Sequence, residues 1–168
     1  MSVARTFTAQ PGVLRGDVVT IETDLTRGLH AFTVVGLAGK AVEEAKDRVS
    51  AAIKNSGFSS PKSTNHKIVV SLAPADLKKE GPLFDLPIAV SYLVANDSIK
   101  AELNGKILIG ELALDGTLRP VRGVLPAIEA AKQAGYTEAI IPKANAKEAA
   151  LVADITITPA ESLLEVVN

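Results

Sequence analysis

The stretch EGPLFDLPIAV (80–90) sets a Gly81-Pro82 turn directly against a strongly apolar segment. Tight turns at helix starts leave backbone N–H groups unpaired, and these favour anions and developing oxyanions, so the exposed residue on such a turn is a natural seat for a nucleophile. Here that residue is Leu83, which can neither attack nor hydrogen-bond. Asp85 stands one residue before Leu86-Pro87, where its carboxylate is placed to accept from the first free N–H groups of a helix while Pro87 occupies a position needing no donor. A capping carboxylate also opposes a second anion at the same helix start. Residue by residue, the stretch reads as a turn followed by a capped, buried helix.

Other candidate chemistry is weaker. Gly36-Leu-Ala-Gly39-Lys40 has glycines and a lysine, but a phosphate-binding Walker A loop needs four residues between its glycines and a Ser or Thr after the lysine. Two residues separate the glycines here and Ala41 follows Lys40, so the segment reads as a strand-to-helix turn. His30 and His66 are the only histidines, neither has a partner at metal-ligand spacing, and the absence of cysteine leaves a zinc site without its usual donors. Both read as surface or strand-end residues. Glu43-Glu44 and Glu22/Asp24 lie in segments whose other residues account for them, so they do not indicate acid–base catalysis. Lys78 and Lys79, flanked by Asp76 and Glu80, read as a solvated loop rather than a phosphate contact.

The elements that must position these residues belong to a chain of 168 residues with 47% hydrophobic content, little of it aromatic, which is enough for one domain with a substantial core of branched strand residues under Ala-rich helices. Net charge is −1, with no electrostatic footprint for autonomous nucleic-acid binding. No apolar run reaches the roughly 18 residues that cross a bilayer and no secretion signal opens the chain, so the expectation is a cytoplasmic protein without a membrane segment. Strands are expected at 3–8, 18–23 and 31–35, and a helix over 40–56 in which Glu44 pairs with Arg48. A central strand over 67–72, a buried helix over 86–94, a strand over 106–114 and a hairpin through Asp115-Gly116 follow. A helix from Pro126 to Gly135, a strand at 138–141, a helix at 145–152, a strand at 155–158 and a last helix starting near Pro159 complete the chain. Consecutive strands first and alternating helix and strand later predict an α/β fold of the α+β type, built on one mixed sheet with packed helices.

Three blocks, VVGLAGKAVEEAKDRVSAAIKNSGF (34–58), SLAPADLKKEGPLFDLPIAV (71–90) and GELALDGTLRPVRGVLPAIEAAKQAG (110–135), resemble the N-terminal domain of the ComM/YifB family of magnesium-chelatase-like AAA+ proteins. The resemblance covers nearly the whole chain in order. It implies a single domain over 1–168 with the ribosomal-protein-S5-domain-2-like fold shared by the Lon proteolytic domain. In that family the domain precedes an ATPase module of a hexameric machine that promotes DNA branch migration during natural transformation. No Walker A loop is recognisable in these residues, so ATP and Mg are expected only in the ATPase module, with no cofactor or metal in this chain. Whether the chain is a piece of a longer protein or a stand-alone relative stays open.

Lon-type domains carry a nucleophilic serine directly after a Gly-Pro and a lysine soon after a Gly-Gly-Leu. The framework is similar here in Gly81-Pro82 and in Gly110-Glu111, Leu114, Gly116, Pro120 and Gly123, but Leu83 stands at the serine position and Leu125 at the lysine position. A Ser–Lys dyad needs a lysine that takes the hydroxyl proton, and two leucines do neither job. The resemblance therefore implies a non-catalytic interaction or assembly domain. Its partners would be the ATPase module of the same protein, a ring-forming homo-oligomer in the full-length protein, and DNA only weakly. Lys78, Lys79, Arg119 and Arg122 are the candidate interaction surface. The competing reading is a Lon-like serine hydrolase with a relocated nucleophile, for which Ser71, Ser91 and Lys78 or Lys79 are the raw materials; a small-ligand module is a third class without direct support.

Overall fold

A computed structural model describes residues 3–168. The first strands are β1 (Val3–Gln10), β2 (Asp17–Arg27) and β3 (Ala31–Val35), followed by helix α1 (Lys40–Asn55) and strand β4 (His66–Ala73). They form a four-stranded mixed sheet in the order β1-β2-β4-β3, antiparallel except for the β3–β4 pair. The period-two pattern of β2 and β4 sends Val19, Ile21 and Leu25, with Ile68, Val70 and Leu72, to one face, where all are buried. Onto that face pack α1, through Val42, Ala45, Val49, Ala52 and Ile53, and helix α2 (Asp85–Ala95). Ten of the eleven α2 residues are buried, as expected of a helix apolar on every side. Its two polar contacts with the sheet are built in: Thr6 Oγ1 donates to the Pro87 carbonyl at 2.9 Å, and Thr23 Oγ1 lies 2.5 Å from Ser91 Oγ.

Beyond α2 the expected single mixed sheet is corrected. Residues 106–114, read as one strand, divide into β5 (Lys106–Leu108) and β6 (Glu111–Leu112), because the intervening Gly110 is claimed by the turn before α2: its N–H donates to the Leu83 carbonyl and its carbonyl accepts from Leu86 N–H, each at 3.0 Å. β6 then closes the expected hairpin with β7 (Leu118–Arg119). After helix α3 (Val124–Gln133), strand β8 (Glu138–Pro142) lies between β5 and β9 (Thr156–Ala160) in a separate parallel sheet. The helix expected over 145–152 is only α4 (Ala146–Ala149), entered through a 3₁₀ turn. Pro159, expected to open the last helix, lies in β9, an edge strand that tolerates the missing donor. The last helix is α5 (Leu163–Val167), capped by Ser162 Oγ accepting from Glu165 N–H. α3 and the residue behind it cover the other face of β1 and β2, where Phe7 and Tyr136 rings meet at 5.7 Å. The α/β class holds, with mixed and parallel sheets in place of one. No helix is long and apolar enough to cross a membrane among the described residues.

Candidate functional site

A cavity of about 850 Å³ opens between the β1–β2 loop, the 77–83 segment and the 120–122 segment. Gln10, Val13, Leu83 and Val121 supply much of its wall, with Lys78, Glu80, Glu111 and Arg122 among its charged lining. The segment 77–83 is held in place by backbone and amide contacts on both sides. Gln10, only 4% exposed at the end of β1, donates through Nε2 to the Lys78 carbonyl at 2.9 Å and accepts Glu80 N–H at 3.2 Å. On the other side Lys79 N–H donates to the Leu37 carbonyl and Gly39 N–H to the Lys79 carbonyl, a one-residue parallel bridge to the β3–α1 turn. Gly36 in that turn has φ 111°, and a Cβ there would stand 2.1 Å from the Leu72 carbonyl oxygen, so the glycine that resembled part of a phosphate loop is required by close backbone approach. Across the cavity Gly123 adopts φ 77° just before α3, and a Cβ on it would lie 2.5 Å from Pro11 Cγ. That approach brings the β1–β2 loop over the site.

Leu83 occupies the wall directly after Gly81-Pro82 and is 4% exposed. Leu125 is half-buried in the first turn of α3 and does not line the cavity, where Val121 and Arg122 do. Asn145 fixes that segment by pairing with both the N–H and the carbonyl of Val121, at 3.0 Å each.

Asp85 corrects its predicted role. The 3₁₀ turn Pro82–Phe84 runs straight into α2, so Asp85 already has helical φ −56° and ψ −50° and makes no capping bond. Its carboxylate instead accepts from Arg48 Nε at 2.8 Å and Nη2 at 3.0 Å, and from Leu112 N–H at 3.0 Å. Arg48, expected to pair with Glu44, spends its charge here, and Nη2 also donates to the Ala41 carbonyl at 2.7 Å. Asp85 is fully buried while Arg48 reaches the surface. Burial pushes the Asp85 carboxyl up to about 6, outweighing the Arg48 and Leu112 bonds that favour the anion; Glu111 adds a further upward push. Arg48 is raised, first by its hydrogen bond to Asp85. The ion pair ties α1, α2 and β6 together behind the cavity.

The predicted basic surface separates into three environments. Lys78 and Arg122 are exposed at the cavity, Lys78 paired with Glu80 at 3.1 Å, and Arg119 is exposed on β7 outside the cavity lining. Lys79 is the clear correction: far from solvated, it is fully buried, and its Nζ donates to the carbonyls of Gly36, at 2.6 Å, and Pro74. A lysine stem is long enough to thread between two loops, and carbonyl dipoles solvate its head there. Burial lowers its pKa. Against Lys78 and Arg122 the cavity sets Asp17, Glu80 and Glu111, so its walls carry no net cationic field for phosphates.

Of the relocated-nucleophile candidates, Ser91 is fully buried and donates to the Ile88 carbonyl at 3.0 Å, and Ser71 is half-buried on β4 opposite Glu22 and Val35. His30 and His66 lie at strand ends as expected, partly buried, each with a buried Nδ1 lacking a partner among the described residues. The Gln10 clamp, the Asn145 bridge and the Arg48–Asp85 pair were not legible, since isolated amides and ions carry no spacing signal.

The profile of the family described as Subunit ChlI of Mg-chelatase matches residues 21–145. Competence protein ComM of Haemophilus influenzae is 47% identical over 169 aligned residues, spanning 100% of this chain and 32% of that protein. YifB of Escherichia coli is 43% identical over 135 residues, 80% of this chain and 26% of its own length. Lon protease of Porphyromonas gingivalis is 30% identical over 145 residues, 83% of this chain and 17% of the protease. The chain thus spans about a third of the length of ComM, 32%, and less of the others. A profile match across most of the chain, with alignments that span the whole of this chain for ComM and 80% of it for YifB, supports one assignment: the chain belongs to the magnesium-chelatase-like ChlI family, in its ComM/YifB branch.

Proposed function

We propose that this chain is a non-catalytic interaction and assembly domain of a cytoplasmic ComM/YifB-type ATPase engaged in DNA branch migration and natural transformation. The observation that carries the non-catalytic part is the wall after Gly81-Pro82: a buried leucine fills it, and the Asp85 carboxylate behind it is bound by Arg48 through both oxygens. A peptidase needs a nucleophile, a base in hydrogen-bond reach and donors converging on one carbonyl. Lys79, the nearest buried amine in sequence, already spends its head group on two carbonyls, and Ser91 is sealed inside α2. What the framework retains is a rigid, loop-walled cavity of mixed polarity, suited to contact with another protein surface rather than to turnover.

In this reading ATP and Mg belong to the ATPase module that the longer relatives add, and ring assembly rests on that module. The isolated chain is therefore expected to be a monomer or weak oligomer by light scattering at micromolar concentration. The functional test is cleavage of casein or a fluorogenic peptide together with a serine-directed covalent probe. The proposal expects neither turnover nor labelling; time-dependent cleavage with one labelled serine would overturn it.

A further inference from the structure

Only one asparagine and one aspartate of the sequence precede a glycine, in Asn104-Gly105 and Asp115-Gly116. Glycine carries no side chain to shield its own nitrogen, so in both dipeptides that nitrogen can reach the preceding side-chain carbonyl carbon and close a five-membered succinimide ring. Closure needs an unengaged side chain as electrophile and a glycine N–H that bonds to nothing else. Both dipeptides lie in tight turns, and the fold treats them oppositely.

At Asp115-Gly116 both partners are engaged. Asp115 Oδ1 accepts from Thr117 N–H at 3.0 Å and Thr117 Oγ1 at 2.7 Å, and Gly116 N–H donates to the Ala113 carbonyl at 2.9 Å. The bond from Thr117 N–H holds the Asp115 carboxyl below its usual range, so it stays an anion, a poor electrophile. At Asn104-Gly105 neither is engaged. Asn104 is exposed in the turn that Lys106 N–H closes on the Leu103 carbonyl at 3.2 Å, and Gly105, at φ 76°, takes the position of that turn that needs positive φ. Asn104 backbone N–H donates to Glu102 Oε1 at 3.1 Å, but among the described residues nothing bonds to the Asn104 side chain or to Gly105 N–H. The Gly105 carbonyl, by contrast, accepts Thr137 N–H at 2.8 Å, Glu138 N–H at 3.2 Å and Thr137 Oγ1 at 3.3 Å, which anchors the start of β5 beside β8.

We propose that Asn104-Gly105 is a self-modification site of the folded chain, where Asn104 is deamidated through a succinimide and the product loosens the anchorage of β5 on β8. The Gly105 nitrogen gives its proton to hydroxide and bonds to Asn104 Cγ; the Cγ–Nδ2 bond breaks, and Nδ2 takes a proton from water and leaves as ammonia. Water then opens the ring, at Cγ to give aspartate or at the main-chain carbonyl carbon to give isoaspartate. No oxidation or reduction is involved: one water enters and one ammonia leaves. The isoaspartyl product routes the backbone through Cγ, which adds a methylene directly ahead of the Gly105 anchor. Either product sets a new carboxylate near Glu102, where like charges repel. The competing dipeptide is held shut by its own hairpin, which makes it an internal control.

The test ages the folded chain beside the same chain unfolded in urea, and follows both dipeptides by peptide-resolved mass spectrometry and by methylation with an isoaspartyl methyltransferase. In the folded chain Asn104 should gain about 1 Da, about tenfold faster at about pH 8 than at about pH 7 because the attacking nitrogen must first lose its proton. Isoaspartate at Asp115 should form in urea alone. Asn104→Gln, an exposed change whose longer side chain disfavours ring closure, should abolish the mass gain at 104 and leave the melt unchanged. Amide exchange at Thr137 and Glu138 should be about tenfold faster in the isoaspartyl form than in fresh protein, as weakening of their shared acceptor implies. Asn104 that reacts in urea but not in the folded chain, isoaspartate at Asp115 in the folded chain, a gain that does not depend on pH, or unchanged exchange at Thr137 and Glu138 in the isoaspartyl form would each overturn the proposal.

Discussion

Replacing Arg48 by Met keeps most of the side-chain stem and deletes the guanidinium that is hydrogen-bonded to Asp85. Asp85 is fully buried and accepts two bonds from Arg48 against one from Leu112. Removing one partner of such a pair strands the other, typically at about 3 to 5 kcal/mol. The loss should depend on pH. In the folded chain burial raises Asp85 to about 6, whereas an unfolded aspartate titrates near about 4, so the native state binds this proton more tightly. The associated stability is fully present below about pH 4 and is lost as pH rises through about 6, an effect of about 3 kcal/mol at about 1.4 kcal/mol per pKa unit. Near pH 5 Asp85 is mostly neutral and needs Arg48 little; at pH 8 it is an anion that needs it fully. Arg48→Met should therefore cost about 3 to 5 kcal/mol at pH 8, about 6 to 20 °C in Tm for a domain of this size, and about 1 to 2 kcal/mol at pH 5. Urea unfolding followed by circular dichroism at both pH values measures the difference, with Asp85→Asn isolating the contribution of this carboxyl. Equal losses at pH 5 and pH 8, or a loss under about 1 kcal/mol at pH 8, would refute the assignment of Asp85 as a buried anion held by Arg48.

Introducing a serine and a lysine by Leu83→Ser with Leu125→Lys should yield no casein turnover and should destabilise the domain by about 2 to 5 kcal/mol, mostly through the buried Leu83; Leu125, half-buried and off the cavity wall, should contribute the smaller part in single-variant melts. Lys79→Met should lower stability by about 1 to 3 kcal/mol by leaving the Gly36 and Pro74 carbonyls without their donor, visible as a lower urea midpoint. DNA binding by the chain should be weak and lost as salt rises, since net charge −1 releases few counterions. Alanine at Lys78, Arg119 and Arg122 should abolish what there is in a fluorescence-anisotropy titration, and submicromolar binding at physiological salt in that triple variant would place the contact elsewhere.

Local periodicity made most elements legible in the sequence. The 3.6-residue pattern of α1 and the all-round apolar α2 follow from their own residues, as do the alternating strands β2 and β4 and the Asp115-Gly116 hairpin. That the residue after Gly81-Pro82 is an apolar leucine was equally legible, because a side chain without a polar atom is inert whatever surrounds it. What the tertiary structure alone decided were contacts between distant segments. Gly110 breaks an otherwise continuous strand pattern because the turn before α2 bonds it on both sides, 24 to 27 residues away in sequence. Asp85 has the right type and position for a helix cap, yet a preceding 3₁₀ turn makes it helical and a guanidinium 37 residues away claims it. Lys79 sits in a charged pentapeptide that reads as solvated, and only the approach of the β3–α1 turn buries it. In each case the local propensity is worth a few tenths to one kcal/mol, while satisfying a buried charge or backbone group is worth several, so the long-range partner prevails.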